Sequence, residues 1–449
     1  MRKLFSLLVI GALVCAYTQA QTRYVGGDIS MLPQYEKYNK AYRDVYGKKI
    51  TDMIPFFMND CGWNTFRVRI FVNPKQKAKG ETDYGVCQDL TYVTALGKRI
   101  KAAGAYFMLD FHYSDEWVDA THIQPPVAWK GLSEDIMADS IGRYTREVLQ
   151  TLKDSGATPD LVQVGNEIMY GLCGIKVAPY DHAGDNWTGY LKLLRAGCNA
   201  VREECPDAQI IIHTDRPTNR SYDFYYYNKL IQGGVDFDVI GLSYYPFWHA
   251  GMKPTAYSTG ADVMQPLVTA INYLASKFPS KRVQIVEFAY NYQYWPTSGV
   301  NYDTRYVWPC SDGESTEGTE GQYNFVKDFV DNLKPLENLD GICYWFPEEA
   351  GNGDKQPPVV ISGWINRGFW KPEAGTQGHA IIKTASASAG RTPEDVCAPY
   401  YMKNFYNETS DIETVNLPSG TQHRKILKEG QLLILRSDGV LFGPDGSRR

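Results

Sequence analysis

Leu161-Val162-Gln163-Val164-Gly165-Asn166-Glu167 is a short apolar run that ends on a carboxylate, and Val283-Gln284-Ile285-Val286-Glu287-Phe288 repeats the pattern far downstream. An ionisable group closing a strand-like segment is either satisfied there by a counter-charge or used for chemistry. Two such carboxyls are what cleavage of a glycosidic bond needs. One protonates the departing oxygen while the other attacks or stabilises an oxocarbenium-like centre. The competing reading is a pair of buried, salt-bridged acids with a purely structural role.

Strand-like segments recur on both sides of these two: Tyr24–Ser30, Phe66–Phe71, Tyr106–His112, Leu161–Glu167, Gln209–Asp215, Phe237–Tyr245, Val283–Ala289 and Asp340–Phe346. Most begin about 40 to 55 residues after the last, room for a crossover helix and a loop, which favours a parallel sheet over a meander. Thr91–Gly104 and Trp187–Cys205 carry helix-spaced apolar positions, and each precedes a strand. The pattern predicts an α/β chain folded as a (β/α)8 TIM barrel, with chemistry at the C-terminal ends of its strands. Glu167 closes the fourth strand and Glu287 the seventh, so both belong on one rim. Asp28, Arg67, Arg69, Asp110, His112, Asp215, Tyr244, Tyr245 and Trp345 sit at or near the other strand ends, and a polar rim of this extent is how a barrel builds a site.

The chain opens with Arg2 and Lys3, an apolar run from Leu4 to Ala16 and Thr18-Gln19-Ala20, which reads as a signal peptide over residues 1–20 and predicts a secreted protein, whether extracellular, periplasmic or cell-surface. The run is too short for a membrane span. A lipid anchor on Cys15 is disfavoured by the bulky Val14 before it. A formal charge of -5 with both signs interspersed argues against nucleic acid or anionic lipid as partner. Past the signal peptide the cysteines are Cys61, Cys87, Cys173, Cys198, Cys205, Cys310, Cys343 and Cys397, with no close CxxC pair for zinc or redox work. Cys343, in an apolar run, reads as a packed thiol, and pairing among the others is open.

Residues 21–372 are expected to form the catalytic barrel. Residues 373–421 turn to Gly, Ala, Ser, Thr and Pro, reading as a terminal wrap and linker in which Tyr400–Tyr406 packs on the barrel. In residues 422–449, Ile426–Arg436 and Gly439–Phe442 flank Ser437-Asp438-Gly439, which predicts a short β-hairpin tail.

Gly26-Gly27-Asp28-Ile29-Ser30, Asn64-Thr65-Phe66-Arg67-Val68-Arg69-Ile70, Asp110-Phe111-His112-Tyr113-Ser114-Asp115, Gly165-Asn166-Glu167, Gly241-Leu242-Ser243-Tyr244-Tyr245-Pro246 and Val286-Glu287 resemble, in order, the strand-end motifs of glycoside hydrolase family 53, the endo-β-1,4-galactanases. The match runs from about Tyr24 to Pro372. The resemblance implies a retaining double displacement on galactan or type I arabinogalactan, with Glu167 as acid/base and Glu287 as nucleophile. It also implies carboxyls roughly 5–5.5 Å apart. It places His112 in the sugar-binding rim, makes Tyr245 the tyrosine that orients the nucleophile, and makes Trp345 the floor beneath the sugar being cleaved.

Arg67 and Arg69 are two apart on one strand and so face the lumen together. One is expected to help Glu287 ionise, and for the other an ion pair with Asp28 or Asp110 is an equal alternative. Asn166 is placed to hydrogen-bond the hydroxyl next to the reacting carbon. Trp117, Trp248 and Trp295 lie just past strand ends and are candidates for outer subsites or for packing. His112, Asp110 and Asp115 lack a third nitrogen or thiolate for a metal, so no cofactor or catalytic metal is expected. Tyr290-Asn291-Tyr292-Gln293-Tyr294-Trp295-Pro296 lacks the acidic ligands that many family members use there for calcium, which leaves structural calcium unsupported. Phe346 stands where the family often has Glu. The expected partner is a galactan polysaccharide, and the expected state a monomer. Two rivals remain: a retaining barrel glycosidase acting on mannan or glucan, and a carbohydrate-binding barrel without chemistry.

Overall fold

The computed structural model describes residues 22–38, 41–74, 85–246, 260–290, 319–350, 367–373, 379–384 and 391–406, together with strands His423–Lys428, Gln431–Arg436 and Leu441–Phe442. The signal-peptide reading, Trp248, Trp295, Cys310 and the stretch read for calcium from Asn291 onward lie outside the described residues.

Eight parallel strands close into a barrel: β1 (Tyr24–Asp28), β2 (Thr65–Ile70), β3 (Tyr106–Phe111), β4 (Leu161–Val164), β5 (Gln209–Thr214), β6 (Val239–Tyr244), β7 (Arg282–Phe288) and β8 (Leu339–Trp345). Each neighbours the next in sequence, and β8 pairs with β1 to complete the ring. All eight fall on the strands expected from sequence. Helices alternate with them: α1 (Leu32–Tyr38) and α2 (Met53–Asn59) after β1, then α3 (Leu90–Ala102), α4 (Glu134–Asp154), α5 (Trp187–Glu204), α6 (Arg220–Gln232), α7 (Gly260–Lys277) and α8 (Thr319–Leu333). On α3 the buried set Val93, Leu96, Gly97 and Ile100 follows helical spacing, and Asp89 caps the first turn by accepting from the Tyr92 amide. Packing of such stripes onto the outward residues of the strands forms the main core.

Gly26 permits the tight closure between β1 and β2, since a Cβ there would lie 1.6 Å from the Thr65 carbonyl oxygen. A four-stranded side sheet joins Ala41–Arg43 and Lys49–Ile50 to Trp370–Pro372 and His379–Ile382. With the turn Ala398–Tyr401 it belongs to one compact unit spanning Arg23–Tyr406. That unit runs past the expected end at residue 372, because chain that looked like linker by composition supplies a paired strand and buried Tyr400, Met402 and Phe405. The second unit contains a three-stranded antiparallel sheet. The expected hairpin is present, with Gln431–Arg436 antiparallel to Leu441–Phe442, and Ile426–Arg436 divides between two strands, His423–Lys428 being the third. The six cysteines Cys61, Cys173, Cys198, Cys205, Cys343 and Cys397 are buried free thiols, and Cys87 is a half-buried one.

Candidate active site

The lumen end of the barrel is organised around Arg67. Asp28 on β1 and Arg67 on β2 are register partners, as are Arg69 and Asp110 on β3, so four charges stack across three adjacent strands. The Arg67 guanidinium donates Nη1 to Asp28 Oδ2 at 2.7 Å and lies 2.9 Å from Glu287 Oε1 through the same nitrogen. Its Nη2 donates to Asp110 Oδ2 and to Asn166 Oδ1, each at 2.8 Å. Burial alone would destabilise this cation, yet its surrounding carboxylates hold its pKa above the ordinary value. One fork thus ties Glu287 to Asn166, the residue before Glu167.

Glu287 is buried and receives a second bond, 2.8 Å from the Tyr245 hydroxyl. Its carboxyl is pushed up to about 7 by burial, against the pull of Arg67, with Asp110 and Asp28 adding to the rise. Three carboxyls, Asp28, Asp110 and Glu287, face two guanidiniums here. Burial also keeps Tyr245 protonated, reinforced by the Glu287 charge, so its hydroxyl stays a donor.

Glu167 is reached differently. The expected strand to residue 167 ends at Val164, because Gly165 takes φ 91° and Glu167 itself takes φ 47°. A Cβ at Gly165 would come within 2.7 Å of the Ile168 side chain, so glycine is required. Left-handed backbone at a non-glycine residue is strained, and Tyr113 and Phe346, just beyond β3 and β8, share it. Among the described residues Cys173 is the fourth such position, so three of the four lie just past barrel strands. Glu167 Oε1 accepts from Ser243 Oγ at 2.6 Å, and Ser243 is the register partner of Glu287 across β6 and β7. The register shift after Leu242 sets these two opposite one another, a bulge re-aiming a side chain. Burial lifts the Glu167 carboxyl well above its usual range, and the charges of Glu287 and then Asp215 lift it further. Glu287 therefore ionises first and Glu167 keeps its proton.

The two arginines part company. Arg67 touches Glu287, whereas Arg69 pairs with Asp28 at 3.2 Å, donates to the Gly85 carbonyl, and lies between the Trp117 ring (4.4 Å) and the Phe346 ring (4.9 Å). Phe346, the departure from the family pattern, thus meets Arg69 by a cation–π contact. Trp345 is 7 % exposed at the register level of Asp28, with ring centroids 6.3 Å from Tyr245 and 6.4 Å from Trp117. His112 has both nitrogens engaged by protein: Nδ1 accepts from the Val118 amide, and Nε2 lies 3.2 Å from Asp110 Oδ2. Burial lowers its pKa despite Asp110, so the ring is neutral. Asn166 donates Nδ2 to the Val118 carbonyl at 2.8 Å.

Three contributors were not singled out from sequence: Gln163, His213 and Ser243. Each is a polar residue at a lumen-facing position of an otherwise apolar strand, a signal that period-two reading could have used. Among the described residues, no group of three or more His, Cys, Asp and Glu side chains is arranged to hold a metal ion, and no helix is long and apolar enough to cross a membrane.

The model of glycosyl hydrolase family 53 matches residues 24–381. An uncharacterized protein of Niallia circulans is 31% identical over 72% of this chain and 83% of its own length. A probable arabinogalactan endo-beta-1,4-galactanase A of Aspergillus terreus is 30% identical over 74% of this chain and 88% of its own. The solved family 53 catalytic domain of Ignisphaera aggregans superposes with TM-score 0.65 at 25% identity, covering 85% of this chain and 94% of that one. With the eight-stranded barrel and the paired glutamates on its rim, these matches establish that the chain belongs to glycosyl hydrolase family 53.

Proposed function

We propose that this protein hydrolyses internal β-1,4-galactosidic bonds of galactan and type I arabinogalactan with retention of configuration. The observation that carries the chemistry is the split between the two carboxyls: Glu287 held by Arg67 and Tyr245, Glu167 kept protonated by burial and by the Glu287 charge. The substrate class is supported by family membership and by relatives whose names are those of arabinogalactan endo-galactanases.

In this reading ionised Glu287 attacks the anomeric carbon while Glu167 gives its proton to the departing oxygen. Once the glycosyl ester forms, the Glu287 charge is gone and Glu167 loses part of what raised its pKa. It can then take a proton from the incoming water. Asn166, with Oδ1 fixed by Arg67 and one amide hydrogen fixed by Val118, offers its second amide hydrogen to the neighbouring hydroxyl, a contact that strengthens in the transition state. Trp345 and Trp117 supply aromatic walls. His112 orients Asp110 rather than reaching for sugar. No cofactor enters these steps. The N-terminal sequence supports export, and a monomer suffices because every named group comes from one chain.

Incubation with linear galactan beside mannan and β-glucan, with product sizing and NMR of the first anomer released, tests this. Galacto-oligosaccharides of β configuration are expected. Turnover of mannan or glucan alone would refute the substrate, and α products would refute the mechanism.

A further inference from the structure

Behind Glu167 runs a chain of contacts that leads away from the cleft. Ser243 Oγ lies 2.6 Å from Glu167 Oε1, and His213 Nε2 lies 2.8 Å from Ser243 Oγ. On the far side of the ring, His213 Nδ1 is 3.1 Å from Gln163 Nε2 and 3.4 Å from the Glu167 backbone nitrogen. His213 and Ser243 are fully buried, on adjacent strands β5 and β6.

The direction of this chain follows from the donors that cannot turn. The Glu167 amide hydrogen is fixed by the backbone and points at His213 Nδ1, so Nδ1 accepts and the ring hydrogen sits on Nε2. Asn166 Oδ1, 3.1 Å from Nδ1, accepts from Arg67 Nη2 at 2.8 Å and from Gln163 Nε2 at 3.2 Å, which fills both of its lone pairs. With Nε2–H donating to Ser243 Oγ, the serine hydroxyl is left to donate to Glu167 Oε1. A protonated carboxyl that accepts on Oε1 carries its own hydrogen on Oε2.

We infer that His213 and Ser243 are positioning residues that select which oxygen of the acid/base carries the transferable proton, holding it on Glu167 Oε2. The inference rests on the reading of Glu167 as acid/base. Without it the hydrogen redistributes between the two oxygens, and a fraction of Glu167 is protonated on the side turned to the protein. The role is specific to leaving groups that need a proton. The groups facing Glu167 from neighbouring elements are Glu287, Asp215, Asp119 and Arg216.

The test compares linear galactan with an aryl β-galactobioside whose leaving group departs unprotonated. His213→Leu and Ser243→Ala are each expected to lower kcat on galactan by about 10- to 100-fold, leaving the aryl substrate within about twofold and the combined variant no worse than either alone. His213→Gln, which keeps an N–H near the Nε2 position, is expected to recover most of the loss. Loss of the serine donor also moves the alkaline limb of the galactan pH profile upward, since the Glu167 carboxylate loses a stabilising hydrogen bond. Equal losses on both substrates, or wild-type kinetics in His213→Leu, would overturn the relay. Glu167→Ala run alongside, read as kcat/KM so that only the steps up to the glycosyl ester are compared, separates the two readings: a loss confined to galactan is the signature of the acid, and equal loss on both substrates would bring down the acid assignment and this inference together.

Discussion

The two candidate catalytic carboxyls, Glu287 and Glu167, sit in halves of the site built on opposite principles. The Glu287 half, on β1, β2, β3 and β7, is an ionic lattice in which Arg67 bridges Asp28, Asp110 and Glu287. In the Glu167 half, on β4, β5 and β6, no guanidinium among the described residues hydrogen-bonds the carboxyl. Glu167 meets a neutral hydroxyl, Ser243, and feels the negative charges of Glu287 and Asp215. Similar burial gives opposite roles, because a cation in contact favours the carboxylate and surrounding anions favour the acid.

Removing the reacting group from the ionic half gives the largest effect. Glu287→Ala is expected to cut kcat by roughly 10⁴- to 10⁶-fold, with partial rescue by azide giving a glycosyl azide of inverted configuration. Glu167→Ala with an activated leaving group gives the retained adduct, and NMR of the two azides exchanges the roles if the stereochemistry is reversed. Next comes Arg67→Lys, which keeps a charge but cannot span four oxygens; kcat is expected to fall about 100-fold. The acid limb of the pH profile is expected to move upward, because Glu287 loses part of what favours its ionised form. An unchanged acid limb would remove Arg67 from the control of Glu287.

A smaller effect sharpens the other half. Asp215 is buried and raised to about 6 by that burial, and its charge lifts Glu167. Asp215→Asn is expected to lower the alkaline limb and reduce activity a few-fold at pH 8, a change opposite in sign to that of Ser243→Ala. The smallest is a stability effect. Glu167 has a folded pKa above its unfolded value, so the stability it contributes is complete below about 4.3 and is lost as pH rises through the folded pKa. Glu167→Gln cannot ionise and is expected to raise Tm by on the order of a few degrees at pH 8, with the gain vanishing by pH 4. A Tm difference that is the same at both pH values would show that desolvation of Glu167 is not what holds its proton.

Much of this was legible along the chain. Eight apolar runs at crossover spacing specify a parallel barrel, since only a closed ring satisfies both edges of such a sheet. Placing Glu167 and Glu287 on one rim follows from that topology alone. The extent of the barrel unit was not legible, because the polar, glycine-rich chain after residue 372 is stabilised by pairing with Ala41–Arg43, a partner more than 300 positions away. In the tail the hairpin was legible and the third strand was not, because the apolar run Ile426–Arg436 divides between two strands.

Residue types and strand periodicity by themselves determined which side chains face the lumen, because alternation is a property of the single strand. Only the tertiary structure decided which arginine meets Glu287. Arg67 and Arg69 are equivalent by periodicity, and they differ through what lies across the barrel: Glu287 for one, Trp117 and Phe346 for the other. The same holds for Ser243 and His213, whose hydrogen bonds to Glu167 depend on a one-residue register shift between β6 and β7 and a left-handed turn after β4. Strand pairing and backbone strain are set by neighbours, and a chain read one residue at a time carries no record of them.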